Sequence, residues 1–216
     1  MELERMDDFF SKRIDGYENH MMCNVQGCKE GYVEIVKYIP KDCKTLLDLG
    51  CGTGLELKEI FKKYPNLGVT AIDLTRSMLE KLKENYRYRN VKTICGSYFD
   101  ADFGSIKYDC AISFQTMHHF NHKDKVRLYK RIHDSLSPCG VYIECDYMIE
   151  DQKEEDYYFS EANRLRKEQN ISDDEFVHYD TPCTVENQIN MFRESGFKDS
   201  KKVWKVGSTV IIVNKF

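Results

Sequence analysis

The sequence predicts an α/β protein in which a parallel sheet carries helices on both faces. Short β-rich runs alternate with segments of helical period from Thr45 to Gly196, the pattern left by repeated strand–helix–strand crossovers. The first strand runs into a glycine turn that opens directly onto a helix. The chain then finishes in two strands joined by a tight turn, so the sheet closes with an antiparallel hairpin. A length of 216 residues supplies one such domain with a modest insertion, not two cores.

Each element has its own warrant. Thr45-Leu-Leu-Asp-Leu49 is an apolar strand, and Leu55 to Tyr64 is a helix because Leu57, Ile60, Phe61 and Tyr64 recur three or four apart. Pro65-Asn66 stops that helix. Gly68 to Asp73 is the second strand, and Thr75, a good N-cap residue, begins a helix to Arg87 that buries Met78, Leu79 and Leu82. Val91 to Cys95 and Tyr108 to Ser113 are the third and fourth strands. Lys123 to Leu136 is a helix with Val126, Tyr129, Ile132 and Leu136 on one face. Ser137-Pro-Cys-Gly140 turns the chain into a fifth strand, Val141 to Cys145. Thr184 caps a helix whose inner face is Val185, Ile189 and Phe192 and whose stop is Gly196. Lys202 to Val206 and Thr209 to Val213 flank Gly207-Ser208 as the closing hairpin.

This gives one domain in four parts: an N-terminal helical cap (1–43), a core (44–146), an insertion (147–183), and a final helix with the hairpin (184–216). The insertion far exceeds a connection of ~4–6 residues, and long insertions tend to be lids or binding elements. Its stretch Tyr157 to Gln169 reads as a helix, and its acidic run Glu150 to Asp156 as solvent-facing surface.

Composition narrows the function classes. With a net charge of −4 and no long Lys/Arg run, phosphate neutralisation is not the binding principle, so no nucleic-acid partner is expected. No apolar stretch reaches the ~20 residues of a membrane span, and the N-terminus lacks the features of a secretory signal. A cytoplasmic monomer or homodimer is the expectation. The nine cysteines lack paired zinc-ligand spacing and read as free thiols, with Cys95, Cys110 and Cys145 acting as small hydrophobes inside strands. No metal is expected on that ground.

The chemistry sits in Leu46-Leu-Asp-Leu-Gly-Cys-Gly-Thr-Gly54. Gly50, Gly52 and Gly54 permit positive φ and close approach of a ligand to the main chain. The free amides at the following helix start favour an electronegative group. A dinucleotide loop spaces its glycines G-x-G-x-x-G and a Walker loop ends in Gly-Lys-Ser/Thr; neither fits. Asp73 ends the second strand nineteen residues beyond Gly54, where a carboxylate can accept from both hydroxyls of a ribose.

The G-x-G-x-G spacing preceded by Asp48 resembles motif I of the class I S-adenosylmethionine-dependent methyltransferases. Tyr108 to His119 resembles the family's fourth motif and Leu136-Ser-Pro-Cys-Gly140 its Leu-x-Pro-Gly-Gly turn, with close resemblance from about 44 to 146. The look is that of the small-molecule, ubiquinone/menaquinone-type branch. The resemblance implies a Rossmann-like, seven-stranded sheet and S-adenosylmethionine as cofactor, with S-adenosylhomocysteine as product. It also implies in-line methyl transfer to an unidentified small molecule. By position, Gly50 and Gly52 line the methionine portion, Asp48 orients its ammonium, and Asp73 holds the ribose. Leu74 and Met78 pack on the adenine, Ser97 and Tyr98 border its edge, Ser113 lies beside the methionine part, and Tyr17 closes over the cofactor. Ser97 stands where the family often has an acid, and Cys139 where it has a glycine.

For the acceptor, His118, Asp146, Tyr147 and His178 are substrate-binding candidates. His118 and His119 follow the fourth strand at the edge where open α/β sheets bind ligands. His118 reads equally as a base or as a packed residue; for His119 packing under the next helix is expected. No catalytic residue is assigned. A cofactor-binding regulatory protein without turnover and an RNA or protein methyltransferase are the alternatives; the Asn-Pro-Pro-Tyr-type signature for exocyclic base amines is replaced by Ser113-Phe-Gln-Thr.

Overall fold

The computed structural model describes residues 1–172 and 174–216. Three short helices, α1 (Met6–Ser11), α2 (Ile14–Cys23) and α3 (Cys28–Glu34), precede the sheet. Then come β1 (Thr45–Leu49), α4 (Leu55–Lys63), β2 (Gly68–Asp73), α5 (Arg76–Asn85), β3 (Val91–Cys95) and β4 (Tyr108–Phe114). A 3-10 turn (Met117–His119) leads to α6 (His122–Ser135), β5 (Leu136–Ile149) and α7 (Gln152–Glu168). The chain ends with β6 (Cys183–Thr184), α8 (Val185–Glu194), β7 (Asp199–Val206) and β8 (Thr209–Lys215). Among the described residues no helix is long and apolar enough to cross a membrane.

The sheet runs in the order β3-β2-β1-β4-β5-β8-β7, with β6 paired to the end of β5. Strands β1 to β5 are parallel, and β8 enters antiparallel between β5 and β7. This is the Rossmann-like methyltransferase sheet with its C-terminal antiparallel closure. From β1 the chain winds outward to β3, then returns to place β4 on the other side of β1. The loops after β1 and β4 therefore diverge to opposite faces and leave a crevice at the carboxyl edge.

Alternation along the strands builds two apolar layers. Leu46, Val69, Ala71, Cys110, Ile112 and Ile143 face α3, α4 and α5. Leu47, Leu49, Ile72, Ala111 and Tyr142 face α6 and α8. Because β1 is covered on both sides, its leucines fall on both faces rather than alternating with polar residues, Asp48 being the one charge among them.

Several local expectations change in the tertiary context. Ser137 to Gly140 do not form a separate turn; they lie inside β5, where the pairing with β4 shifts register between Tyr108 and Cys110. A Cβ on Gly140 would stand 2.9 Å from Leu136 Cβ and from the Ser137 carbonyl, so the bulge admits only glycine there. Cys95 is exposed, since β3 is the sheet edge, whereas Cys110 and Cys145 are buried; all nine thiols are free. Thr75 precedes α5 but its side chain makes no cap bond; Thr184 does cap α8, accepting from the Asn187 amide at 3.2 Å. Glu155, in the supposed solvent-facing run, is 1% exposed. Its carboxylate accepts from the Thr184 amide, Asn187 Nδ2 (2.9 Å) and His122 Nε2 (2.7 Å), tying α7 to α6 and α8.

Two outcomes test this packing. Leu47→Ala, at the fully buried centre of the sheet, is expected to cost about 2–5 kcal/mol of stability, read as a lowered denaturant midpoint. The second concerns His122 and Glu155. Hydrogen bonding to Cys183 and then to Glu155 lifts His122 to about 9. Burial opposes ionisation of Glu155, but bonds from His122, the Thr184 amide and Asn187 hold its carboxyl down at about 2. The His122 contribution is complete below its ordinary value of 6.5 and is lost as pH rises through about 9. The Glu155 contribution is complete above 4.5 and is lost as pH falls toward about 2. His122→Gln should therefore flatten the decline of stability between pH 6.5 and 9, measured by chemical denaturation across that range.

Candidate active site

The glycine turn after β1 is fastened to the tip of β2. The Gly50 and Cys51 amides donate to the Ile72 carbonyl at 2.8 and 3.2 Å. Asp73 Oδ2 accepts from the Gly52 amide and Oδ1 from the Thr75 amide, both at 2.8 Å. One carboxylate thus sets the distance between the turn and the start of α5. Burial raises the Asp73 carboxyl, while these amide bonds work against that rise.

Gly50 and Gly52 have φ of +69° and +50°. A Cβ on Gly50 would lie 2.4 Å from Thr116 Oγ1, and one on Gly52 would lie 3.2 Å from the Tyr17 hydroxyl. Backbone therefore forms the floor of a cleft of about 590 Å³ with its open mouth, and Thr116 and Tyr17 are among its walls. The structure brings Tyr17, Gly50, Gly52, Asp73, Leu74, Met78, Ser97 and Tyr98 together in this cleft.

Two residues of the expected cofactor set are not among its lining. Ser113 is wholly buried in β4 and its hydroxyl bonds that of Tyr142 at 2.8 Å, on the α6/α8 side of the sheet. Asp48 is 1% exposed beneath the turn. Neither of its oxygens has a hydrogen-bond donor among the described residues, and Glu56 is its buried neighbour. Burial raises Asp48 well above the carboxylate range, and it lifts Glu56 to about 7. Asp48 thus lies beneath the turn, outside the cleft lining.

The sequence reading missed Phe10, Phe99, Gln115, Thr116, His119, Phe120 and Phe176, all of which line the cleft. Gln115 has φ +51°, a sharp turn that redirects the chain after β4 so that Thr116 reaches Gly50 and bonds Tyr98 at 3.0 Å. The motif spacing carries no trace of that reversal. Phe176 arrives from the insertion, where the Met6 amide donates to its carbonyl at 2.9 Å.

A second cleft, about 1710 Å³ with its open mouth, adjoins the first and shares Phe10, Tyr17, Gln115 and His119. His118, Tyr147 and His178 line it, with Asp180 and Phe9. Of the substrate candidates, Asp146 is absent from its walls. It is 2% exposed, and its carboxylate accepts from the amides of Met117 (2.7 Å), His118 (3.1 Å) and Tyr147 (2.7 Å) and from His118 Nδ1. Its geometry positions the 117–118 turn. His119, expected to pack under the next helix, instead stands in the partition between the clefts.

The comparisons agree with this geometry. Residues 46–140 match a family model described as a methyltransferase domain. The carboxy-S-adenosyl-L-methionine synthase of Nautilia profundicola is 24% identical, over 92% of this chain and 85% of that protein. The malonyl-[acyl-carrier protein] O-methyltransferase of Priestia megaterium is 35% identical over 44% of this chain, which spans only about a third (34%) of that protein's length. A solved structure provisionally described as an O-methyltransferase of Nostoc punctiforme superposes with a TM-score of 0.73 at 22% identity, over 99% of this chain and 62% of that one. The fold is that of the Rossmann-like methyltransferases, and together with the match over residues 46–140 it supports an enzyme dependent on S-adenosylmethionine.

The first cleft fits that cofactor: main chain bare of Cβ at Gly50 and Gly52, a carboxylate at the neighbouring strand tip, and an apolar slot between Leu74, Met78 and Phe99. Gly50→Ala should lower cofactor affinity at least tenfold by calorimetry with the circular dichroism spectrum retained, because the methyl displaces Thr116.

Proposed function

We propose that this chain transfers the methyl group of S-adenosylmethionine to a small acceptor held in the second cleft. The observation that carries the reading is the Asp73 carboxylate, locked to the Gly52 and Thr75 amides at the rim of a backbone-floored pocket. Asp73 holds the ribose hydroxyls, Leu74 and Met78 pack on the adenine, and Ser97 and Tyr98 border its edge. Gly50, Gly52 and Tyr17 enclose the methionine portion.

The sulfonium supplies an activated methyl group; the protein's part is to align donor and acceptor and keep water out. Tyr17, Gln115 and His119, shared by both clefts, mark where the two meet. Phe9, Phe10 and Tyr147 give the acceptor side aromatic walls, which suits an acceptor with an apolar or aromatic body. The ubiquinone/menaquinone-type acceptors suggested by sequence resemblance are compatible with such walls. A carboxylated sulfonium, as in the name of the Nautilia relative, adds a carboxylate to the cofactor. No Lys or Arg is among the described residues lining the first cleft, whereas Lys12 and Arg13 line the second.

Asp73→Ala should weaken S-adenosylmethionine binding by roughly 2–3 kcal/mol in calorimetry, the scale of lost charge-assisted bonds, and Asp73→Asn should recover part of it. Unchanged affinity in both variants overturns this reading of the pocket.

A further inference from the structure

The second cleft contains a cluster that methyl transfer does not by itself require. His118 Nε2, His119 Nδ1 and His178 Nε2 stand 3.6, 3.4 and 3.9 Å from one atom, Asp180 Oδ1. That oxygen is shut off from solvent and accepts no hydrogen bond. These separations exceed the 2.7–3.2 Å of N–H···O bonds, so the nitrogens surround the oxygen without bonding it. They approach the spacing of neighbouring ligands on a tetrahedral ion, roughly 3.3–3.6 Å when each ligand is about 2.0–2.2 Å from the metal.

The surroundings commit the donors in the right sense. His118 Nδ1 is engaged by Asp146 Oδ1, which leaves the Nε2 lone pair facing Asp180. A carboxylate behind the remote ring nitrogen is the usual support of a metal-ligating histidine. His119 Nδ1 also donates to the Tyr179 carbonyl at 3.4 Å, a long bond whose proton a metal ion would displace. Asp180 is held opposite the histidines because the Thr181 amide and hydroxyl both donate to the His118 carbonyl, at 2.7 and 3.0 Å.

We infer that His118, His119 and Asp180 form a site for a divalent transition-metal ion such as zinc, open toward the second cleft. His178, its ring stacked on Phe9 at 3.6 Å, flanks the open side. Two imidazoles and a carboxylate are a donor set suited to such ions, and three protein ligands leave a position for a further group. A similar grouping, His122, Glu155 and Cys183, is not such a site. There the histidine and glutamate bond each other at 2.7 Å, and the Lys125 ammonium lies 3.2 Å from the sulfur, where it repels a cation.

The role of the ion rests on the methyl-transfer reading, although the site does not. An acceptor hydroxyl or thiol that reaches the ion loses its proton to solvent more readily. Its lone pair then forms the new bond to the methyl carbon, and the electrons of the broken C–S bond return to sulfur. This narrows the acceptor to a metal-binding hydroxyl or thiol compound.

The test uses the full chain, stripped with a chelator and titrated with zinc by calorimetry and with Co(II) by visible absorption. One equivalent of zinc, and the intense absorption of tetrahedral or five-coordinate Co(II), are expected. Asp180→Asn and His119→Gln should each weaken zinc binding at least tenfold without lowering the melting temperature of the metal-free chain, while His122→Gln leaves it unchanged. Zinc affinity equal in wild type and Asp180→Asn, or loss only with His122→Gln, overturns the site. Neither titration contains S-adenosylmethionine, so a failure of the site is distinct from a failure of cofactor binding.

Discussion

The carboxylate of Asp73 is the contact on which the rest of the site depends. It accepts from the Gly52 amide with one oxygen and from the Thr75 amide with the other. The first bond fixes the glycine turn against β2; the second fixes where α5 starts. Because β1 and β2 are already registered through their ladder, these two bonds leave the turn little freedom. The cost is a half-buried carboxylate, offset by two amide donors that would otherwise be unpaired at that position.

Around that fixed point the fold adds walls from remote parts of the chain. The N-terminal segment and the segment before β6 are stitched to each other: the Met6 amide donates to the Phe176 carbonyl, and the His178 amide to the Glu4 carbonyl, both at 2.9 Å. Arg5 and Val177 form an antiparallel bridge between them. The Thr181 amide then fastens the same segment to the turn after β4. The helical cap and the insertion thus act as one cover, which is how Phe10, Tyr17, Phe176 and His178 come to stand near the sheet edge. An aromatic series from Phe9 through His178 to His119 lines the inside of that cover.

Sequence reading was strong where geometry is local. The strands β1, β2 and β3 carry their own apolar pattern, and the glycine spacing specifies a turn whose φ values only glycine tolerates easily. Asp73 was legible because its distance from the turn is set by one helix and one strand. Reading weakened where a side chain's direction depends on register or burial. Ser113 sits at a plausible sequence position, but strand alternation turns it toward Tyr142, and the reversal at Gln115 gives its expected place to Thr116. Asp48 reads in sequence as a cofactor contact and Glu155 as a surface acid, yet packing buries both.

By itself, the sequence determined the alternating α/β order, the glycine turn and the carboxylate beside it, because backbone sterics and hydrophobic periodicity act over a few residues. The tertiary structure alone decided which histidines face a cleft, that Asp146 supports His118 from behind, and that Asp180 meets both His118 and His119. Asp180 is some sixty positions from those histidines in the chain. Their meeting follows from a crossover, a cover segment and one pair of hydrogen bonds to the His118 carbonyl, none of which leaves a periodic mark in sequence.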